Sequence, residues 1–221
     1  MTLAGASLDY RTRIAALSLV AGPLLMAIGD LMHPEERMAP AEQVVIVVAH
    51  ASRWVTAHLL LFIGILLFIP GFLALAGLTQ ARKPAVGYAA RLLTMIGVAG
   101  FASVLVWEML VGRLALDGVH TTAATALLEN MMSGPVMAVV GPAMLAFVVG
   151  TALFAIPLMR AGGALGWAAG LILLGLLFVV AEILSAQVIL SQIGNVVIFC
   201  GSATAAWLIL RGAAGETVEL T

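Results

Sequence analysis

Charge is scarce in this chain. Asp, Glu, Lys and Arg make up 10% of its 221 residues, while the hydrophobic set supplies 63%. Soluble domains carry about 25% charged residues. A soluble fold of this length could not hide so much apolar surface, so lipid must act as the solvent for much of it. Cysteine is nearly absent. Cys200 stands alone inside an apolar run, which excludes an intramolecular disulfide and reads as a small core residue. Aromatic residues reach only 6%, too few to point to a rich cation-stabilising cavity. The net charge of −1 gives no reason to expect a nucleic-acid partner. No G-x-S-x-G elbow, phosphate loop, dinucleotide fingerprint or C-x-x-C pair occurs, so nucleophilic, phosphate and redox chemistry have no signature here.

What the chain does have is long apolar runs. Six are long enough to span a bilayer, at about 13–32, 54–79, 88–112, 135–159, 163–190 and 192–210. A spanning helix needs roughly 20 residues. The runs are continuously apolar and lack period-two alternation, which favours helices over a barrel. The expected fold is all-α: one polytopic domain over 1–211, a bundle of about six transmembrane helices, followed by a loose tail at 212–221. The fifth and sixth runs are nearly continuous, and Ser191-Gln192 is taken as their boundary. Arg11 and Arg13 ahead of Ile14–Ile28 match the front of a signal peptide. The nearest A-x-A-like site, Ala39-Pro40-Ala41, follows a charged stretch, so the run reads as a retained first helix. VAGPLLMAIG faintly echoes VVGPAMLAFVVG, but Gly-Pro is too common in apolar helices to establish an inverted repeat. Pro23, Pro70, Pro142 and Pro157 lie inside or near the ends of spans and imply kinks or freed carbonyls.

Loop charge sets an expected orientation. Arg11, Arg13, Arg82, Lys83, Arg91, Arg160 and Arg211 fall on one side; Arg37, Arg53 and Arg113 fall on the other. The richer side should be cytoplasmic, with both termini, in a multi-pass cell-membrane protein. Two outer segments look like more than turns. Pro40 is placed to begin a short helix over about 41–52, amphipathic enough to lie at the interface or to cap the bundle. Thr121 or Thr122 is placed to cap a second one ending near Ser133-Gly134.

Ionisable side chains inside a span cost at least about 2.5–3.5 kcal/mol for Asp near mid-helix on insertion scales, so they are the best functional clue. The candidates are Asp30, His58, Glu108 and Glu182. All four fall in the expected outer half. Glu182 is the deepest, roughly 12 Å along its helix from an end near Leu190, at ~1.5 Å per residue. One chamber open to the outer side would gather such groups, whereas random tolerance would scatter them. Ser185, Gln187, Gln192 and Asn195 line the outer ends of the last two helices, and Trp54 and Trp107 flank the same level. The two Trp are belt residues or pocket walls. Each group also has a structural reading: Asp30 as the point where a helix leaves the bilayer, His58 as a tie to a nearby carbonyl, Glu108 as a partner for Arg113.

Metal binding has a weak case. His33, His50, His58 and His120 all lie on or near the outer side without an H-x-x-x-H pair. His33, His50 and His58 with nearby carboxylates form the candidate set for a divalent ion. A b-type haem needs axial histidines across the bundle, and only His58 lies in a span. No cofactor is expected.

GPLLMAIGDLMHPEE followed by HASRWVTAHLLL resembles small multi-span proteins of actinobacterial type, over about the first 80 residues. That group brings no activity to transfer. In size and in its carboxylates within spans, the chain also looks like the small integral membrane terpene cyclases, a likeness of architecture that aligns no motif on Glu108 or Glu182. Three functions follow from the polar cluster. The first is an acid–base enzyme, a lyase or isomerase, acting on a lipophilic small molecule, with Glu182 as donor and Glu108 with His58 as the charge-holding half. The second is a proton- or cation-coupled transporter. The third is an accessory subunit, in which Gly97, Gly100, Ser103, Gly166, Gly170 and Gly201 support close contacts within or between chains, including a homo-oligomer. Membrane lipid is the expected surrounding partner.

Overall fold

The computed structural model describes residues 10–35, 37, 39–117, 121–185 and 187–212. These residues form eight helices: α1 (Tyr10–Met32), α2 (Pro40–Ala49), α3 (Ala51–Arg82), α4 (Pro84–Leu116), α5 (Thr121–Ser133), α6 (Pro135–Ala161), α7 (Gly163–Ser185) and α8 (Val188–Leu210). Six of them, all but α2 and α5, are long and apolar enough to cross a membrane. The all-α polytopic bundle expected from the sequence is what the chain forms. His120 and the tail from 213 lie outside the described residues.

The spanning helices close into a ring in the order α1, α3, α4, α6, α7, α8, with α8 packed back on α1. The short helices α2 and α5 touch each other and pack on the ring, α2 on α3 and α4, α5 on α4 and α6. They make one end of the ring the capped end. Proline opens α2, α4 and α6 at their first turns, where its missing N–H costs no helical bond. Between α6 and α7 the chain reverses through Gly162 and Gly163, at φ +78° and +71°. An L side chain is strained there, so two glycines make the tight turn possible.

Small residues let the helices meet backbone to backbone. A Cβ on Gly22 would stand 2.8 Å from the Gly64 carbonyl oxygen of α3, and one on Gly175 would stand 2.5 Å from that of Gly194 on α8. Gly97, Gly100, Gly166 and Gly201 are likewise used within the ring, against Phe147, Met144, Leu158 and Ala168. Ser103, by contrast, is exposed. Away from the capped end, Leu19, Leu75, Phe154, Leu158, Ala168 and Ala205 fill the ring interior. Around the outside, Leu17, Leu92, Val139, Leu145 and Leu184 are all at least 60% exposed. A soluble monomer does not present so continuous an apolar surface. The chain is an integral membrane protein.

Two boundaries differ from the sequence expectation. α7 stops at Ser185 and α8 begins at Val188, several residues before Ser191-Gln192. Glu182 therefore sits one turn below the capped end of α7 rather than deep in a longer helix. Polar residues stand both at Ser185 and Gln187 and at Ser191 and Gln192, so composition offers two places for the break and does not choose between them. α3 begins at Ala51, directly after the α2 cap residue His50, so His58 lies two turns inside it.

Candidate functional site

A cavity of about 310 Å³ lies inside the ring under the cap. α1 contributes Asp30, α3 His58 and Trp54, α4 Glu108, α7 Glu182 and α8 Asn195. The segment after α1 adds His33 and Arg37, α2 adds Gln43, and α5 adds Leu128 and Met131 as a lid. Toward the middle of the ring the lining becomes apolar and aromatic: Phe68, Phe72, Phe101, Phe147 and Ile172. The rings stack on one another, with Phe68 and Phe72 centroids 3.9 Å apart and Phe147 edge-on to Phe72 and Phe101 at 5.2 and 5.4 Å. Four of the chain's eight phenylalanines thus line this one space. Ile183 lines the cavity and is also 45% exposed, while Met137 and Met144 line it from α6. These residues put the rim between the capped-end halves of α6 and α7.

All four intramembrane candidates reach this one cavity. Asp30, His58 and Glu182 are buried, and Glu108 is half-buried. Glu108 is not tied to Arg113, which pairs instead with Asp117 at 2.8 Å, one turn on and exposed. Helical spacing explains the choice, since four residues bring side chains together and five do not. Trp54 is not a lipid-facing belt residue: it is 2% exposed and its Nε1 donates to the Glu108 carbonyl at 2.9 Å. That bond ties α3 to α4 beside the site. Trp107 packs instead with Val44, Val47, Val111 and Leu128 beneath the cap. Ser185 is exposed and bonds its own helix at Ala181, and Gln187 is exposed at the start of α8. Neither lines the cavity. Gln192 donates to the Asp30 carbonyl at 3.3 Å. Tyr10, Tyr88, Trp167 and Trp207 are the exposed aromatics. All four lie toward the uncapped end.

The histidines are arranged more closely than their spacing implied. His33 and His58, 25 residues apart, bring their Nε2 atoms within 3.3 Å. The Nδ1 of His33 lies 2.8 Å from the Pro34 carbonyl, and that of His58 2.8 Å from the Trp54 carbonyl. A carbonyl oxygen only accepts, so each Nδ1 carries its proton and donates. The Trp54 ring stands 4.6 Å from His33 and 4.5 Å from His58, centroid to centroid. His50 is not in this cluster. It lines a separate crevice of about 480 Å³ at the capped surface, with Glu35, Arg53, Ile189, Gln192 and again His33. Among the described residues, no group of three His, Cys, Asp or Glu is placed to hold a metal ion.

Two features of the site were not singled out from the sequence, Gln43 and the phenylalanine floor. Gln43 is 5% exposed; its Oε1 accepts from the Arg37 backbone N–H, while its Nε2 is buried without a hydrogen-bond partner. Its signal was its place beside Val44 and four residues before Val47, on the buried face of α2. The phenylalanine floor had no signal, because Phe in an apolar span reads as ordinary core. Asn195 was expected at the helix ends. It is buried in the cavity wall, with Oδ1 lacking a hydrogen-bond partner. No protein family, curated protein or solved structure matches this chain, so its function is read from the site.

Proposed function

We propose that this protein is an intramembrane enzyme that performs acid–base chemistry on a lipophilic small molecule held in the capped cavity. The observation that carries the reading is the division of one cavity into an aromatic floor and an ionisable roof. The floor receives a hydrocarbon portion. The roof receives a polar end: Asn195 Oδ1 is a buried acceptor in need of a donor, and Gln43 Nε2 a buried donor in need of an acceptor. A hydroxyl satisfies both kinds of partner. The volume lies at the small end of the ~300–1,000 Å³ range of small-molecule pockets, which favours a single-chain amphiphile over a two-chain lipid.

The chemistry is redox-neutral. Glu182 delivers a proton to a carbon–carbon double bond, whose electron pair forms the new C–H bond. The adjacent carbon becomes cationic and faces the Phe68, Phe72, Phe101 and Phe147 rings, whose faces attract positive charge. Loss of a proton from the next carbon to the Glu108 and His58 side restores a double bond. One proton enters and one leaves, so an isomer forms. Attack by a second double bond before that loss gives a ring. The packed half of the ring away from the cap supports reaction over passage through the membrane. The Lys and Arg distribution puts the capped end outside, so substrate arrives from the outer leaflet through the rim between α6 and α7.

Farnesol and its hydroxyl-free counterpart farnesene test the reading. Their binding is followed by quenching of Trp54 fluorescence, with Trp54→Phe as blank. Farnesol binds more tightly, and Asn195→Leu narrows the gap by roughly two- to tenfold, the worth of one hydrogen bond of about 0.5–1.5 kcal/mol. Equal quenching by both, unchanged in Asn195→Leu, would overturn the proposed head-group end. Ligand co-purified with the protein and incubated in D2O should gain carbon-bound deuterium. Glu182→Gln should slow that gain by about 10²–10⁴-fold, the range for a lost general acid. A bound ligand that never gains deuterium would make the protein a carrier.

A further inference from the structure

We propose that His33 and His58 share one proton between their Nε2 atoms, and that this pair carries protons from the surface crevice into the capped cavity. Both Nδ1 atoms are committed as donors to carbonyls, at 2.8 Å each. Two neutral rings held this way would point two lone pairs at each other across 3.3 Å. That arrangement is repulsive until a cation lies between them. One added proton converts it into an N–H···N hydrogen bond. The Trp54 ring, within 4.6 Å of both imidazoles, stabilises the resulting charge through its π face. A metal ion would also bridge two imidazole nitrogens, but a closed structural zinc site has four ligands. Among the described residues no third ligand is grouped with these two.

The pair is also placed to move that proton. His33 lines both the surface crevice and the inner cavity, and His58 lines the cavity alone. Both rings are 5% exposed or less, so exchange with bulk water runs through the crevice that His33 lines. The other ionisable groups of the two spaces are Asp30 from α1, Glu35 and Arg37 from the α1–α2 segment, His50 and Arg53 at the α2–α3 junction, Glu108 from α4 and Glu182 from α7. Arg53 is turned to the Met32 and His33 carbonyls, which holds the end of α1 over the pair. The proton released to the Glu108 and His58 side must leave that side while Glu182 regains one. The His33–His58 bridge exchanges these protons with the crevice, one out for one in, without opening the cavity to water. That use rests on the proposed acid–base function; the sharing of a proton does not.

The test is 15N NMR of the full chain, labelled at histidine, in lipid nanodiscs. His33→Asn and His58→Asn assign the signals. Both Nδ1 atoms should be protonated, and a scalar coupling should join the two Nε2 atoms through one hydrogen bond, vanishing in either variant. Exchange of that shared proton with D2O is then timed in the wild type and in Ile189→Trp, which fills the crevice without touching the cavity. Filling the crevice should slow exchange about tenfold or more, as closing an access route to a buried site does. Two unprotonated, uncoupled Nε2 atoms would overturn the shared proton. A stoichiometric metal removed by chelator, with a change in the Nε2 signals, would do the same. Coupling with exchange that ignores Ile189→Trp but slows when farnesol fills the cavity would overturn the route. Farnesol binding in the wild type is scored separately, so failure of the relay and failure of the binding site give different results.

Discussion

At the scale of the residue, the site depends on which polar atoms already have partners. Trp54 spends its N–H on the Glu108 carbonyl, and His58 spends its Nδ1–H on Trp54. The backbone therefore fixes the orientation of the rings, leaving Nε2 of each histidine directed at the other. Trp54→Phe keeps the ring stack but loses the α3–α4 bond. It should lower thermal stability by about 0.5–1.5 kcal/mol, the usual worth of one hydrogen bond, and loosen the His33–His58 contact. A melting curve in detergent and the histidine NMR signals check the two effects. The ionisable residues were legible from the sequence because intramembrane charge is costly and therefore rare. The His33–His58 contact was not, since no spacing rule reaches across 25 residues and two helices.

At the scale of the element, small residues decide how close the helices come. Gly175 of α7 and Gly194 of α8 each leave room for the other's carbonyl. Gly175 lies two turns below Glu182 and Gly194 lies next to Asn195, so the pair sets the separation of two cavity walls. Gly194→Val should destabilise the protein by about 1–3 kcal/mol or more, as overpacking does. Its melting midpoint should fall further than that of Gly141→Ala, where a new Cβ would meet only the Met137 side chain of the same helix, at 3.6 Å. Equal midpoints for the two variants would count against the close contact. The short helices were legible from Pro40 and the Thr121 region. Their job was not. α2 and α5 cover the ring rather than simply lying on a membrane surface, because Val44 and Val47 meet Leu128, Met131 and Trp54.

At the scale of the molecule, the ring is asymmetric along its axis. The capped half encloses the cavity, and the opposite half is filled by side chains. Arg82, Lys83, Arg91, Arg160 and Arg211 lie at the uncapped end, as do the exposed rings of Tyr10, Tyr88, Trp167 and Trp207. On the excess of Lys and Arg, we propose that the uncapped end faces the cytoplasm. With Cys200 replaced by Ala, a single cysteine at Glu35 should react with a membrane-impermeant maleimide in intact cells. A single cysteine at Lys83 should react only after lysis. The opposite pattern would invert the orientation and move substrate access to the inner leaflet.

Composition by itself determined that this chain spans a membrane with about six helices, because apolar runs of that length have no other stable solvent. Loop charge by itself determined an expected orientation, and the rarity of buried charge picked out Asp30, His58, Glu108 and Glu182. Only the tertiary structure decided that these four line one space. It also decided that four phenylalanines form its floor, and that His33 rather than His50 meets His58. Hydropathy reports how far a segment prefers lipid, but not which face it turns inward. That choice is made by the ring closure of α8 on α1 and by the glycines that bring the helices together.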